Sequence, residues 1–406
     1  MKQITLTHPS PQLNGQLAIT GSKSESNRLL VLQALYPGLQ IQNLSNSDDT
    51  HAMQKGLAAD ENLIDIGHAG TTMRFLTAFF ATQEGSEKVL TGSKRMQERP
   101  ISVLVDALRQ LGADIEYEKN VGYPPLRIRG KKLSKNQVTL AANVSSQYIS
   151  ALLLVAPKLA EGLHLKLVGK ITSVPYIEMT CALLRQQGVD VVFEGQEIRV
   201  KPLLAPDSRE VWVESDWSSA SYFFGLAALA NQANLKLSTY KADSLQGDRV
   251  LVDIYKQLGV VSQLGENHLL LDKSNAYEGE FNFDLVNAPD IAQTIAVSCY
   301  GMGVGCHLTG LHTLKIKETD RLVALETELS KLGADIQVTN DSLHLKPRTG
   351  AIVPHVAIDT YHDHRMAMAF APLGLLVPIT INEPDVVSKS YPEFWSDLED
   401  LGFVLS

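Results

Sequence analysis

The sequence predicts an α/β fold of two domains with buried helices, and three observations predict it. Five amphipathic helices each end at a glycine followed by a strand-like alternation. Six further helices are apolar on nearly every face. The polar and charged motifs gather at the starts of both kinds of helix.

The glycine-ended helices come first. ALRQLGADIEYE stops at Gly112, LLRQQGVDVVFE at Gly188, IYKQLGVVSQLG at Gly259, ELSKLGADIQVT at Gly333 and DLEDLGFVLS at Gly402. A glycine just past the last helical turn takes the left-handed conformation that satisfies the final carbonyls, and the alternation after it reads as a half-buried strand. These junctions recur about every 70 residues, too far apart for a tetratricopeptide or ankyrin array. THAMQKGLAADENLID, after Asp48 and Asp49, is an earlier and degraded copy, which makes six units.

The apolar helices are NRLLVLQAL, TTMRFLTAFFA, SQYISALLLVA, SASYFFGLAALA, DIAQTIAVSCYG and RMAMAFAPLGLL. A helix with no polar face belongs in an interior. Strand-like runs such as QLAIT, LHLKLVG, HLLLD and LHLKPR separate the helices. Six units of strands plus two helices give two domains of three units each.

The composition of the 406 residues, 44% hydrophobic and 20% charged, is that of ordinary globular protein. A net charge of −9 argues against a general nucleic-acid binder but leaves room for a local anion pocket. Cys181, Cys299 and Cys306 provide neither a disulfide framework nor a CxxC pair, and their apolar contexts read as inert core thiols. MKQITLTHPS shows no secretion signal or transit peptide, and no run reaches the roughly 18 apolar residues of a spanning helix. The expectation is a soluble, intracellular protein.

At the helix starts stand GSKSESNR, GHAGTTMR, SKRMQERP, NVSSQY, TSVPYIE, SDWSSAS, LQGDR, NAPD, KIKETDR, YHDHRM and SKSYPE. Asp48, Asp49, Asp216, Ser218 and Asp248 read as N-caps. Capping does not account for the cations, because a basic residue in a first turn opposes the helix dipole. Yet Lys23, Arg28, Arg74, Arg95, Arg99, Lys317, Arg321, Arg365 and Lys389 all lie there. A shared site for phosphates and carboxylates explains the repetition.

GSKS lacks the spacing of a Walker A loop, so a nucleoside triphosphatase is disfavoured. In YHDHR, His362 and His364 lack a third nitrogen or sulfur ligand, so no metal is expected; Asp363 reads as a cap, with His364 and Arg365 reaching an anion. KETDR places Lys317 and Arg321 on one face of a helical turn with Glu318 between them, a pattern that a solvated ion-pair face also produces. Asp290 in NAPD suits a cap or a functional role equally. GxSxG, HExxH and a GxGxxG-led unit are absent from the sequence.

In order along the chain, GSKSESNR, AGTTMR, RMQERP, YPPLRI, SSQY, PYIE, SSASY, QGD, PD, KETDR, DHRMAM and SKSYP resemble the 5-enolpyruvylshikimate-3-phosphate synthase family. The resemblance spans essentially the whole chain. It implies the two-domain enolpyruvyl transferase fold, in which each domain is three βαβαββ units with buried helices, an inside-out α/β barrel. It also implies a discontinuous domain of residues 1–20 plus 216–406, a second domain of residues 21–215, crossings near Gly21 and Ser215, and an active site in an interdomain cleft. The implied reaction moves the enolpyruvyl group of phosphoenolpyruvate onto the 5-hydroxyl of shikimate 3-phosphate, releasing phosphate, with no metal or organic cofactor.

By match to the family, Lys23, Ser24, Arg28, Ser145, Ser146, Gln147, Ser173, Tyr176, Asp290 and Lys317 should hold shikimate 3-phosphate. Lys23, Gly70, Arg95, Gln147, Arg321, His364, Arg365 and Lys389 should hold phosphoenolpyruvate. Asp290 should take the hydroxyl proton, with Glu318, assisted by Lys23, exchanging protons at the methylene carbon. The sequence departs from the family pattern at His68, Phe75, Lys94 and Thr313, where Asn, Pro, Pro and Asn are common. The sister family acting on UDP-N-acetylglucosamine pairs its early Lys with Asn and carries a loop Cys, whereas here Ser24 follows Lys23 and SKRMQERP has no Cys. The expected partners are the two small substrates, without nucleic acid or membrane, for a monomeric cytoplasmic enzyme.

Overall fold

The computed structural model describes residues 2–142, 145–204, 210–275 and 279–406. The chain forms two compact units, one of Met1–Gly21 with Glu214–Ser406 and the other of Ser22–Val213.

In the second unit the helices are α1 (Lys23–Leu35), α2 (Asp48–Leu57), α3 (Gly70–Ala81), α4 (Ser102–Gln110), α5 (Ser146–Val155) and α6 (Val174–Gln186). In the first they are α7 (Trp217–Leu229), α8 (Leu251–Gln257), α9 (Ala292–Met302), α10 (Arg321–Lys331), α11 (His364–Phe370) and α12 (Phe394–Asp400). The apolar helices α1, α3 and α5 pack on one another at the centre of the second unit, and α7, α9 and α11 do so in the first. Their side chains are almost wholly buried: Phe75, Leu76, Leu152, Phe223, Phe224, Ile295 and Phe370 have next to no exposed surface. Full burial of each such side chain contributes roughly 1.5–3 kcal/mol, so these helices form because they pack, not because of intrinsic propensity.

The amphipathic helices end as their sequences require. At α4 the Gly112 N–H donates to Arg109 O and the Ala113 N–H to Leu108 O, both close to 3 Å, with Gly112 at φ +101°. The same paired bonds close α6 at Gly188, α10 at Gly333 and α12 at Gly402. This Schellman closure satisfies two terminal carbonyls and needs a left-handed residue, which glycine supplies without a Cβ clash.

Among the described residues, five four-stranded sheets share one topology. In the sheet around α3, Leu63–Asp65 runs parallel to Glu87–Thr91, which pairs antiparallel with Leu126–Arg129, and that strand pairs antiparallel with Asp114–Tyr117. A buried helix makes the parallel crossover, and an amphipathic helix leads into the hairpin. In the first unit, Gln12–Ala18 pairs parallel with Gln232–Ser238, so the entire second unit is inserted between two neighbouring strands. The N-terminal strand Gln3–Thr7 closes the last sheet by pairing with Ile379–Asn382 and Val404–Leu405. The sixth sheet has two strands, Gln40–Gln42 and Glu210–Trp212, because α2 leads directly to Leu63 of the next sheet. That is the structural form of the degraded first copy.

KETDR departs from the helical turn expected of it. Lys317–Thr319 form a bend after the 3-10 segment His312–Ile316, and α10 begins only at Arg321. Asp320, whose carboxylate accepts from Val323 N at 3.3 Å, is the cap that starts it there. Among the described residues, no helix is long and apolar enough to cross a membrane. All three cysteines are buried, and burial pushes the Cys181 thiol up to about 12.

Candidate active site

In the first unit a charged cluster forms where α7, α9, α10 and α11 begin. Asp290 lies in the 3-10 turn ahead of α9, and its Oδ1 meets Lys317 Nζ at 3.2 Å and Arg321 Nη1 at 2.8 Å. Its Oδ2 lies 3.5 Å from Arg365 Nη2, and its backbone carbonyl accepts from Arg365 Nη1 at 3.1 Å. Glu318 bridges two cations, with Oε2 3.0 Å from Arg321 Nη2 and Oε1 2.6 Å from Lys389 Nζ. Arg321 reaches Asp363 Oδ2 through Nε at 2.7 Å and Oδ1 through Nη2 at 3.3 Å. Lys317, Arg321, Arg365 and Lys389 thus share the carboxylates of Asp290, Glu318 and Asp363 in one network.

Burial opposes ionisation of Asp290, but Lys317, Arg365 and Arg321 outweigh it and hold the carboxyl well below the usual range. Burial lowers Lys317, while Asp290 acts against that. Arg321 is only 2% exposed; burial opposes its charge, and the carboxylates of Asp363, Glu318 and Asp290 raise it above its ordinary value. Asp290 is therefore an ionised carboxylate whose basicity is masked by its cations. His364 is buried at the start of α11, with Nδ1 3.6 Å from Asp363 Oδ1.

In the second unit the starts of α1, α3, α5 and α6 are tied together by side chains. Arg28 is buried and donates from Nε to Thr180 Oγ1 at 2.8 Å, from Nη1 to Ser24 O at 2.7 Å, and from Nη2 to Ser150 Oγ at 3.0 Å and Tyr176 O at 3.2 Å. Burial lowers its pKa to about 10, with Tyr176 and Glu25 acting the other way. All four acceptors are neutral, so a positive charge stands in the interior near Ser24 and Tyr176. Gln147 Nε2 donates to Thr71 Oγ1 at 3.1 Å, joining α5 to α3. Ser145 caps α5, Ser146 is its first residue, and Ser173 precedes α6 at φ +53°. Lys23 opens α1 and pairs with Asp49 at 3.1 Å. Gly70 opens α3 beneath Arg99: a Cβ there would stand 2.6 Å from Arg99 Nη1. Arg95 is exposed and lies 3.5 Å from Glu98.

Several expectations from sequence need correction. Ser47 caps α2, accepting from Thr50 N, which leaves Asp49 to hold Lys23 and Asp48 inside the helix. Asp216 does cap α7, accepting from Ser219 N at 2.9 Å, but Ser218 lies within the helix and donates to Asp248 Oδ2. Asp248 is buried in the 3-10 segment Gly247–Val250, and burial lifts its carboxyl to about 6 against the pull of Arg365. Arg74 holds a loop, donating to Pro100 O at 2.9 Å and Gly70 O at 3.3 Å. Sequence reasoning missed Asp49, Thr71, Ser150 and Thr180 as partners of the site. Ser150 and Thr180 did leave a signal, since each is a hydroxyl in an otherwise apolar stretch of helix.

A family model described as EPSP synthase (3-phosphoshikimate 1-carboxyvinyltransferase) matches residues 54–398. A 3-phosphoshikimate 1-carboxyvinyltransferase from Bacteroides fragilis is 46% identical over 404 residues, covering 98% of this chain and 97% of that protein. One from Haemophilus influenzae is 37% identical over 435 residues, covering 99% of each. Among solved structures, an EPSP synthase from Acinetobacter baumannii aligns over 100% of both chains with a TM-score of 0.78 at 22% identity, a likeness of fold. The chain belongs to the EPSP synthase (3-phosphoshikimate 1-carboxyvinyltransferase) family.

Proposed function

We propose that this chain transfers the enolpyruvyl group of phosphoenolpyruvate to the 5-hydroxyl of shikimate 3-phosphate and releases phosphate. One observation carries the assignment of roles: Asp290 and Glu318 are interleaved with Lys317, Arg321, Arg365 and Lys389 in a single contact network. The reaction needs a base for the hydroxyl, a proton donor for the methylene carbon, and cations for two phosphates and a carboxylate.

In this reading Arg321, His364, Arg365 and Lys389 of the first unit hold phosphoenolpyruvate, joined by Lys23, Gly70, Arg95 and Gln147 of the second. Ser24, Arg28, Ser145, Ser146, Ser173 and Tyr176 hold shikimate 3-phosphate, joined by Lys23, Gln147, Asp290 and Lys317. Arg28 acts mainly through its buried charge, because its hydrogen bonds go to protein acceptors. Asp290 takes the hydroxyl proton once the substrates draw its cations away. Glu318, a carboxylate between Arg321 and Lys389, exchanges protons at the methylene carbon with the assistance of the Lys23 ammonium, taking up from solvent the proton that it passes on. The reading takes the site to be completed by both units and the enzyme to be a cytoplasmic monomer.

The test is phosphate release from purified protein given phosphoenolpyruvate and either shikimate 3-phosphate or UDP-N-acetylglucosamine. Release that requires shikimate 3-phosphate is the expected result. Release with the nucleotide sugar instead, or with neither, would reject the reading.

A further inference from the structure

The turn leading into Arg365 is built against the preference of its own sequence. Asp363 N donates to Thr360 O at 2.8 Å, closing a four-residue turn whose central residues, Tyr361 and His362, have φ of +53° and +56°. Two successive left-handed residues are the pattern of type I′ turns, where Asn and Gly predominate. Tyr and His carry a Cβ that disfavours this conformation, so contacts outside the turn must hold it.

Helix α10 holds it at two places. At its start Arg321 clasps the Asp363 carboxylate through two nitrogens. Two turns further along, Glu328 is fully buried, and its Oε1 accepts from Tyr361 Oη at 2.6 Å. Its Oε2 accepts from Asp359 N at 3.1 Å and pairs with Lys331 Nζ at 2.7 Å. Glu328 therefore grips the backbone before the turn and the side chain of its first left-handed residue. Burial and the Glu328 carboxylate both push the Tyr361 hydroxyl above its ordinary value, so it remains a donor.

We propose that Glu328 and Tyr361 are positioning residues for phosphoenolpyruvate binding: their hydrogen bond fixes the left-handed turn and with it the direction in which Arg365 leaves the start of α11. The inference rests on the reading above, in which Arg365 binds that substrate. Within the turn, Asp363 Oδ1 accepts from Arg365 N at 2.9 Å, so a change at Tyr361 or His362 moves the cap and the guanidinium together. Among the described residues, Glu328 and Tyr361 bond one another, Asp359 N and Lys331, so their effect is on placement, not on proton transfer.

The experiment compares wild type with Tyr361→Phe, Glu328→Ala and Glu328→Gln, measuring kcat, both KM values and thermal stability. Tyr361→Phe is expected to raise KM for phosphoenolpyruvate about tenfold, the size of one hydrogen bond to a charged group, while kcat and KM for shikimate 3-phosphate stay within about threefold. Glu328→Ala should behave likewise. Glu328→Gln keeps an acceptor for the tyrosine and should recover most of the loss. An unchanged KM for phosphoenolpyruvate in Tyr361→Phe, or an equal rise in both KM values accompanied only by a lower melting temperature, would overturn the proposal. Absence of turnover in wild type would remove the functional reading as well, whereas normal wild-type turnover with an unaffected Tyr361→Phe would remove this inference alone.

Discussion

Asp290 and Arg321 meet at 2.8 Å in a carboxylate–guanidinium contact, and Lys317 reaches the same oxygen at 3.2 Å. A carboxylate held by two cations, with Arg365 close to its other oxygen, is ionised at neutral pH but weakly basic. In the proposed reaction, its usefulness in proton transfer depends on which cations the substrates recruit.

Replacing Asp290 with Asn should therefore separate binding from chemistry. The cations lose one negative neighbour, so phosphoenolpyruvate binding should hold or tighten. Turnover should fall by about three orders of magnitude or more, as expected for loss of a general base together with its electrostatic role. Equilibrium binding and phosphate release on the same preparation check both halves. Turnover within tenfold of wild type would exclude Asp290 from the proton transfer.

Asp363 should matter for stability as well as binding. It provides both oxygens to Arg321, which is 2% exposed, and it caps α11 through Arg365 N. Asp363→Ala leaves a buried guanidinium short of charge and is expected to cost about 3–5 kcal/mol. In a unit of this size that lowers the melting temperature by roughly 2–4 °C per kcal/mol. Calorimetry gives the answer, and a change under about 1 kcal/mol would contradict it.

Asp248 predicts a pH dependence with a definite sign. Its folded-state pKa, lifted by burial to about 6, stands above the ordinary carboxyl value of 3.8. The folded protein therefore binds the proton more tightly than the unfolded chain. Between those two values stability falls as pH rises, and above about 6 the full cost of the buried charge, on the order of 2–3 kcal/mol, is present. Asp248→Asn keeps an acceptor for Ser218 and carries no charge. It should stabilise the protein at pH 7.5 and do little at pH 4.5. Denaturant unfolding at both values checks this, and a benefit larger at the lower pH would reverse the sign.

Much of this was legible in the sequence, for reasons that differ by residue. The helix ends at Gly112, Gly188, Gly333 and Gly402 were readable because capping is local: the left-handed residue and the strand after it adjoin in the chain. The charged cluster was legible as a list of helix starts, not as a set of contacts. Nothing local to Arg28 says that its acceptors lie on α5 and α6. Ser47, Asp48 and Asp49 are all competent caps, and only packing decides that Ser47 takes the role while Asp49 turns to Lys23. The left-handed turn at Tyr361 and His362 was hidden because neither residue favours it, and its cause, Glu328, lies on a different helix.

Arg28 offers a sharp stability test in the second unit. Thr180→Val removes the hydroxyl that takes Nε and also the link to Ser150 at 2.9 Å. A buried charged donor left without its acceptor should cost about 1–3 kcal/mol. KM for shikimate 3-phosphate should rise while that for phosphoenolpyruvate is little changed. Unchanged stability would mean that another acceptor replaces Thr180.

The most direct measurement is phosphorus NMR of a reaction containing both substrates. The account predicts that one inorganic phosphate appears for each phosphoenolpyruvate consumed, that the shikimate phosphate signal shifts without being lost, and that nothing happens when shikimate 3-phosphate is omitted. Inorganic phosphate arising from shikimate 3-phosphate, or from phosphoenolpyruvate alone, would contradict it.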